Sequence, residues 1–466
     1  MKLWRTGWTW RSGELREGEA ILTGDRGEIV RAGPASEVEG DARSKAATRE
    51  DHPRAALLPG LVSAHSHCFQ VLLRGWAEHP RDFKDWVTRC LYPLVLALDD
   101  DSLEAAALLC FGQMLRAGIT TVGEFHYVHN APDGTPRGNE LDRLVVRAAR
   151  RAGIRIALLR TLYDTRSREG QKRFAEPPEE AARRTRELAS ELRGDGCVTV
   201  LPAPHSLHGA SVDAIRRGAE LARELGTRWH IHMAEQKDDV AFALERHGKT
   251  PLRVLEALGL LDERTVVVHG IWLDEGERAL LAERGAALVS CPLTSLALGD
   301  GVLDIPDLIR RGATLGLGTD MDAAPDILAE MRAAENLQRS RLLRMGVIPN
   351  ESRKGAAPPR SARALLELGT SHGARTLGLS LGTLAPGEPL DAFLVDLDDP
   401  ALAPAASLGA ESLLAAVVSS MPTQAIRHVL VAGEAVVRDG VLVSSEAQAA
   451  PARLARGAWR RAALSS

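Results

Sequence analysis

From residue 57 to about residue 325 one phrase recurs: a short β-branched or apolar run, a polar turn, then a helical pattern rich in Ala, Leu, Glu and Arg. Eight such runs fall at 57–65, 119–126, 154–162, 198–204, 228–233, 266–270, 286–291 and 314–318. The spacing between them predicts helices at 101–117, 140–152, 179–193, 212–225 and 275–284, several closed by the Gly expected of a C-cap. Strands alternating with helices call for a parallel sheet, and eight alternations favour an α/β fold closed as a (β/α)8 TIM-type barrel over an open doubly wound sheet. No GxGxxG follows the first run, which leaves a Rossmann reading little support.

The flanks read differently. Residues 1–56 carry strand-like pieces at 20–23 and 28–31 among Gly-rich turns, and the style returns at 391–396 and, as a hairpin, at 429–440. Both chain ends are therefore expected to build one small β-sandwich domain, from 1–56 and 384–466 with a terminal helix, beside a barrel of residues 57–383. The polar stretch 346–362, with Pro349, Asn350, Lys354, Gly355, Pro358 and Pro359, reads equally as a lid or as a connector.

Composition narrows the classes without choosing among enzymes. The 466 residues are 45% hydrophobic and 26% charged with a net charge of -4 and no long run of one sign, so nucleic acid is not an expected partner. The N-terminus lacks a signal-peptide core and no segment offers eighteen uncharged apolar residues, which sets a cytoplasmic expectation with no membrane partner. Five scattered cysteines without CxxC spacing are expected to be reduced and structural.

The chemistry begins where the first run ends in His65 and His67. Residues two apart in a strand share a face, so both imidazoles can reach one ion at the C-terminal mouth of a barrel. Alone, such a pair is as often a polar edge as a metal site. Here His232, His269 and Asp320 close three further runs, and chance explains each placement more easily than it explains all four strand ends together. Imidazole and carboxylate donors suit one divalent ion, zinc first with iron and manganese open, leaving a position for water whose pKa then falls from 15.7 toward about 7. Glu235, three residues beyond His232, is placed to shuttle a proton from that water to a leaving nitrogen.

Pro59-Gly-Leu-Val-Ser-Ala-His-Ser-His67, His232-Met-Ala-Glu235, Val268-His-Gly270 and Gly318-Thr-Asp320 resemble the signature set of the amidohydrolase superfamily, in its deaminase and chlorohydrolase branch. The resemblance spans almost the whole chain, including Leu384-Ala-Pro-Gly-Glu-Pro-Leu-Asp391. It implies that His65, His67, His232 and Asp320 hold one metal, that Glu235 is the general acid and base, and that His269 positions the attacked group. Asp320 is also a candidate for taking a proton from the water.

Within that branch the nearest resemblance is to formimidoylglutamate deiminases, which hydrolyse a C=N bond in histidine degradation and release ammonia. It rests on His65-Ser-His-Cys-Phe-Gln70, Gly123-Glu-Phe-His-Tyr-Val-His-Asn130, Ala203-Pro-His-Ser-Leu207 and His230-Ile-His-Met-Ala-Glu-Gln236. It implies pocket roles for Gln70, Tyr127 and His205, whose plain alternatives are a helix cap, packing under a loop and a backbone partner. Two arginines that grip the substrate carboxylates in those enzymes are missing: His208 stands at one position and Val87, after Trp86, at the other. Histidine does not reproduce a bidentate guanidinium contact. The stretches Val71-Leu-Leu-Arg-Gly-Trp76, Val268-His-Gly-Ile-Trp-Leu-Asp-Glu275 and Ser290-Cys-Pro-Leu-Thr-Ser295 lean toward deaminases of amino-heterocycles such as S-adenosylhomocysteine, methylthioadenosine, guanine or pterins, the alternative to the leading expectation, hydrolysis of N-formimino-L-glutamate to N-formyl-L-glutamate. A small-molecule substrate and a homodimer are expected in either case. A barrel that has lost catalysis is disfavoured by the intact ligand set with Glu235.

Overall fold

The computed structural model describes residues 1–321, 324–348, 361–457 and 459–460. Twelve of the seventeen residues at 346–362, the proposed lid or connector, lie outside them.

Eight parallel strands form the barrel: β1 (Leu61–Ser66), β2 (Ile119–His126), β3 (Arg155–Leu162), β4 (Val198–Pro204), β5 (Trp229–Met233), β6 (Thr265–His269), β7 (Ala287–Ser290) and β8 (Thr314–Leu317). Every residue of β1, β2, β3, β5, β6 and β7 is buried, because helices cover the outside and side chains fill the inside. The strands hydrogen-bond continuously as two sets of four, β1 to β4 and β5 to β8. The seams between the sets are single parallel bridges, Ser66 with Asp320 and Ser206 with His232. At one seam the His67 N–H donates to Asp320 O at 2.8 Å and the Asp320 N–H to His65 O at 3.0 Å. At the other the His232 N–H donates to His205 O at 3.0 Å.

Nine strands from the two chain ends form the sheet of the small domain, in the order 441–442, 434–438, 426–431, 392–396, 48–59, 2–11, 19–23, 29–34, with 14–17 also on 2–11. The strand Thr48–Pro59 unites the ends, running parallel to 2–11 and antiparallel to 392–396. The run read as beginning the barrel at residue 57 therefore divides: Leu57, Leu58 and Pro59 pair with Leu394, Phe393 and Ala392, and β1 starts after Gly60. A Cβ on Gly60 would sit 2.1 Å from Thr120 Oγ1, so this crossing between units accepts only glycine. A nearly buried ion pair, Arg155 Nε to Asp391 Oδ2 at 2.8 Å, fastens β3 to the small domain, and Asp391 also accepts the Ala432 N–H at 2.7 Å. The terminal helix Ser445–Leu454 lies along Asp100–Arg116, with Arg453 bonded to Asp101 and Glu104.

Candidate active site

The C-terminal ends of β1, β5, β6 and β8 bring His65, His67, His232, His269 and Asp320 together as the strand-end reading expects. His65 Nε2 lies 3.1 Å from His232 Nε2 and 3.4 Å from Asp320 Oδ1, and His67 Nε2 is also 3.4 Å from Asp320 Oδ1. The far sides of two rings are already engaged: His67 Nδ1 with Phe125 O at 2.8 Å, His232 Nδ1 with His205 O at 2.9 Å. A carbonyl can only accept, so in both rings Nδ1 carries the hydrogen and Nε2 turns its lone pair inward. Burial, with the neighbouring His65 adding to it, pushes the His67 imidazole down to about 3 and His232 well below the ordinary histidine range, so neither supplies a proton near neutrality. Lone pairs and a carboxylate converging on one buried point repel each other unless a cation lies among them. The residues therefore fit a divalent ion on donor chemistry alone.

Glu235 stands beside this cluster, Oε1 3.7 Å from His269 Nε2. Its carboxyl is pushed well above the ordinary range, first by burial and then by the charges of Asp300, Asp320 and Asp239. His269 is lowered to about 4, again by burial. Three residues here have left-handed backbone without being glycine: Ala234 (φ 51°), His269 (φ 72°) and Asp320 (φ 49°). Such strain costs on the order of 1–3 kcal/mol per residue, and here it turns functional side chains over the mouth. Sequence alone carries no signal for it.

A cavity of about 260 Å³ opens above the cluster and is lined by Gln70, Tyr127, His205 and His208 together with His67, His232, Glu235, His269 and Asp320. Gln70 Nε2 donates to Tyr127 Oη at 2.9 Å, and His205 Nδ1 meets Ser206 Oγ at 2.9 Å. His208 is only half in the cavity, its side chain 42% exposed, and its Nδ1 lies 3.3 Å from Asp239 Oδ1. The arginine sought near Trp86 is absent from the wall, where Val87 lies instead. Arg89 faces Asp85 at 3.7 Å and Arg74 donates to Gln113 at 2.6 Å, both outside the cavity.

Sequence reading missed the aromatic walls: Phe83, Trp86, Tyr92, Tyr163 and Phe174 line the cavity with Tyr127. Phe83 and Trp86 stack at 5.9 Å, and Tyr163 meets the His205 ring at 4.8 Å. Tyr163 directly follows β3, so the strand-end rule could have found it. The others come from the helix at 83–86 and the loops after β1 and β3, where no periodicity marks a pocket. Lys84 and Arg168, both exposed, stand at the rim. A second group, His126, His129 and Asp142, is wholly buried behind β2. There Arg160 Nε lies 3.4 Å from Asp142 Oδ1 and supplies the positive charge.

The Amidohydrolase family profile matches residues 56–436. The chain belongs to the amidohydrolase family. It is 33% identical over 427 residues to a formimidoylglutamate deiminase of Pseudomonas aeruginosa, covering 89% of this chain and 91% of that one. A 5-methylthioadenosine/S-adenosylhomocysteine deaminase of Natronomonas pharaonis is 30% identical over 430 residues, 91% and 89% of the two chains. Among solved structures, a zinc-bound adenosine deaminase from Xanthomonas campestris superposes with a TM-score of 0.85 at 25% identity, over 100% of this chain and 98% of that one. The zinc-bound atrazine chlorohydrolase of Arthrobacter aurescens superposes at 0.83 with 22% identity, over 98% and 99%, and shares the barrel with its small β-sandwich domain. This amidohydrolase is a metal-dependent deaminase, a hydrolase of C–N bonds other than peptide bonds that acts on a small molecule. Among the described residues no helix is long and apolar enough to cross a membrane.

Proposed function

We propose that this amidohydrolase hydrolyses an sp² carbon bearing nitrogen in a planar amino-heterocycle, with His65, His67, His232 and Asp320 holding one zinc ion. The observation that carries the chemistry is the inward convergence of the histidine Nε2 atoms and Asp320 beside the mostly buried Glu235 carboxyl. The ion, when bound, supplies a Lewis acid that makes a water nucleophilic at neutral pH. Glu235 in its raised, protonated state donates to the ring nitrogen beside the amino-bearing carbon and makes that carbon electrophilic. Water oxygen then bonds to the carbon, and Asp320 with Glu235 accepts the two water protons. One of them passes to the amino group, the C–N bond breaks and ammonia departs; a carbonyl remains, the ring nitrogen keeps the first proton, and the second water proton restores Glu235. His269, between Glu235 and Asp320, orients the attacked group.

Support for a heterocycle comes from the cavity walls. Six aromatic rings line them, Val87 and His208 stand where a diacid would need guanidinium groups, and Asp239 already occupies His208. A second reading, N-formimino-L-glutamate, draws on the 33% identity to the Pseudomonas enzyme and on Lys84 and Arg168 at the rim. Ammonia release decides between them on N-formimino-L-glutamate, methylthioadenosine, S-adenosylhomocysteine, guanine and a pterin. The proposal expects a heterocycle to exceed formiminoglutamate at least tenfold in kcat/KM; the opposite order establishes the second reading.

A further inference from the structure

Glu235 sits on a short, strained peptide that the strand alone does not support. After β5 ends at Met233, Ala234 takes the left-handed backbone, and the chain enters the helix Lys237–His247 only two residues beyond Glu235. A left-handed alanine costs roughly 1–2 kcal/mol, so this turn persists only if its surroundings hold it.

The surroundings form a closed circuit. Ala234 O accepts the Trp272 N–H at 3.0 Å. Trp272 Nε1–H in turn donates to Asp300 O at 2.9 Å. The Asp300 carboxylate Oδ1 accepts from Gln236 Nε2, and Gln236 lies two residues from Ala234, with Glu235 between. Inside the circuit, Asp239 Oδ2 accepts the N–H groups of both Glu235 and Gln236 at 3.0 Å. The loop that presents Asp300 is shaped for this contact: Gly301 has φ 130°, and a Cβ there would lie 3.1 Å from Trp272 Cζ2. Asp300 itself is 2% exposed, and its second oxygen, Oδ2, has no hydrogen-bond partner among the described residues. Burying a carboxyl with one oxygen unsatisfied is expensive and does little for packing.

We infer that Asp300 and Trp272 are positioning residues for the catalytic glutamate: together with Gln236 they fix the 234–236 turn so that the Glu235 carboxyl faces His269 and the metal cluster. Neither touches the cavity, whose lining includes Glu235 but not Asp300, Trp272 or Gln236. Their effect falls on the reacting step and not on substrate affinity, since a misplacement of about 1 Å costs on the order of 100-fold in rate. Asparagine keeps an acceptor oxygen at the Oδ1 position and can take the Gln236 Nε2–H bond in place of the carboxyl.

The inference rests on the proposed role of Glu235, and the test separates the two. Zinc-loaded wild type, Asp300→Ala, Asp300→Asn, Trp272→Phe and the Asp300→Ala/Trp272→Phe pair are compared for metal content, Tm, kcat and KM on the best substrate of the panel above. Crystal structures of wild type and Asp300→Ala are solved alongside. Expected are a tenfold to hundredfold fall in kcat for Asp300→Ala and Trp272→Phe with KM within threefold and metal retained, a double variant no worse than the poorer single, and at least half of the activity restored in Asp300→Asn. The Asp300→Ala crystal should show the Glu235 carboxyl turned away from His269. Glu235 unmoved in that crystal, kcat within threefold of wild type, or a kcat loss that merely follows lost metal overturns the inference. If Glu235→Gln remains fully active, the site reading fails instead.

Discussion

Replacing Glu235 by Gln tests the chemistry with the least disturbance of the structure. Gln is isosteric, the ion-pair contact of the carboxyl with His269 Nε2 is 3.7 Å, too long for a hydrogen bond, and Glu235 lies outside the cluster of converging Nε2 atoms. Metal content and KM should therefore hold, while proton transfer is lost. General acid–base catalysis is worth about 100- to 10,000-fold, so kcat should fall by that factor, equivalent to about 3–5 kcal/mol in the barrier. Stability should move the other way. A carboxyl whose folded-state pKa is raised leaves the folded form binding more protons than the unfolded one. Its ionisation therefore costs stability progressively as pH rises from the unfolded value near 4.3 toward the raised folded one. In chelator-treated protein, the Tm of Glu235→Gln relative to wild type should climb between pH 4.5 and pH 8. Metal analysis, steady-state ammonia release and calorimetry read the three effects. Metal loss in the variant equal to that of a ligand knockout, or a kcat within tenfold of wild type, would refute the reasoning.

Other outcomes follow from the same geometry. His232→Ala should lose metal and activity together, because His232 Nε2 faces His65 Nε2 at 3.1 Å across the proposed ion; zinc retained at one per chain by that variant contradicts the ligand set. Chelation should lower Tm in wild type and restoring zinc should raise it again, with a dependence on free metal set by RT ln(1 + [L]/Kd). The pair Val87→Arg and His208→Arg should lower KM for N-formimino-L-glutamate by about 10- to 100-fold, the worth of charge-assisted hydrogen bonds. An unchanged KM means the wall does not face the substrate's tail. Asp391→Ala leaves Arg155 buried without its partner and should cost about 3–5 kcal/mol in denaturant unfolding; a loss under 1 kcal/mol would mean the pair does not fasten the two units.

Much of this was legible in the sequence. Short apolar runs with His or Asp at their ends marked both the barrel strands and the residues at their mouths, because strand direction and catalytic face are coupled in this architecture. The boundary at Gly60 was not legible. Apolar character runs unbroken from Leu57 to Val62, and only long-range pairing of 57–59 with 392–394 separates the units. The aromatic walls were missed because Phe83, Trp86 and Phe174 converge from segments without strand ends to announce them. The Asp300 circuit joins residues 64 positions apart through one side-chain contact. Gln70 and Tyr127, read as either pocket or structure, face the cavity and bond to each other, so one hydrogen bond serves both readings.

The two seams of the barrel carry a consequence beyond topology. Each four-strand half is hydrogen-bonded continuously within itself and meets the other through single bridges at Ser66–Asp320 and Ser206–His232. Asp320 and His232 are themselves among the proposed ligands, and His65 and His67 flank the first bridge. An ion shared by them would rivet the half holding His65 and His67 to the half holding His232 and Asp320. The joints of the barrel with the fewest ladder bonds are then also the ones the cofactor would tighten, so metal loading would add its stability where the barrel is least cross-linked. Hydrogen exchange of the His67, His232 and Asp320 amides with and without zinc would follow that tightening one joint at a time.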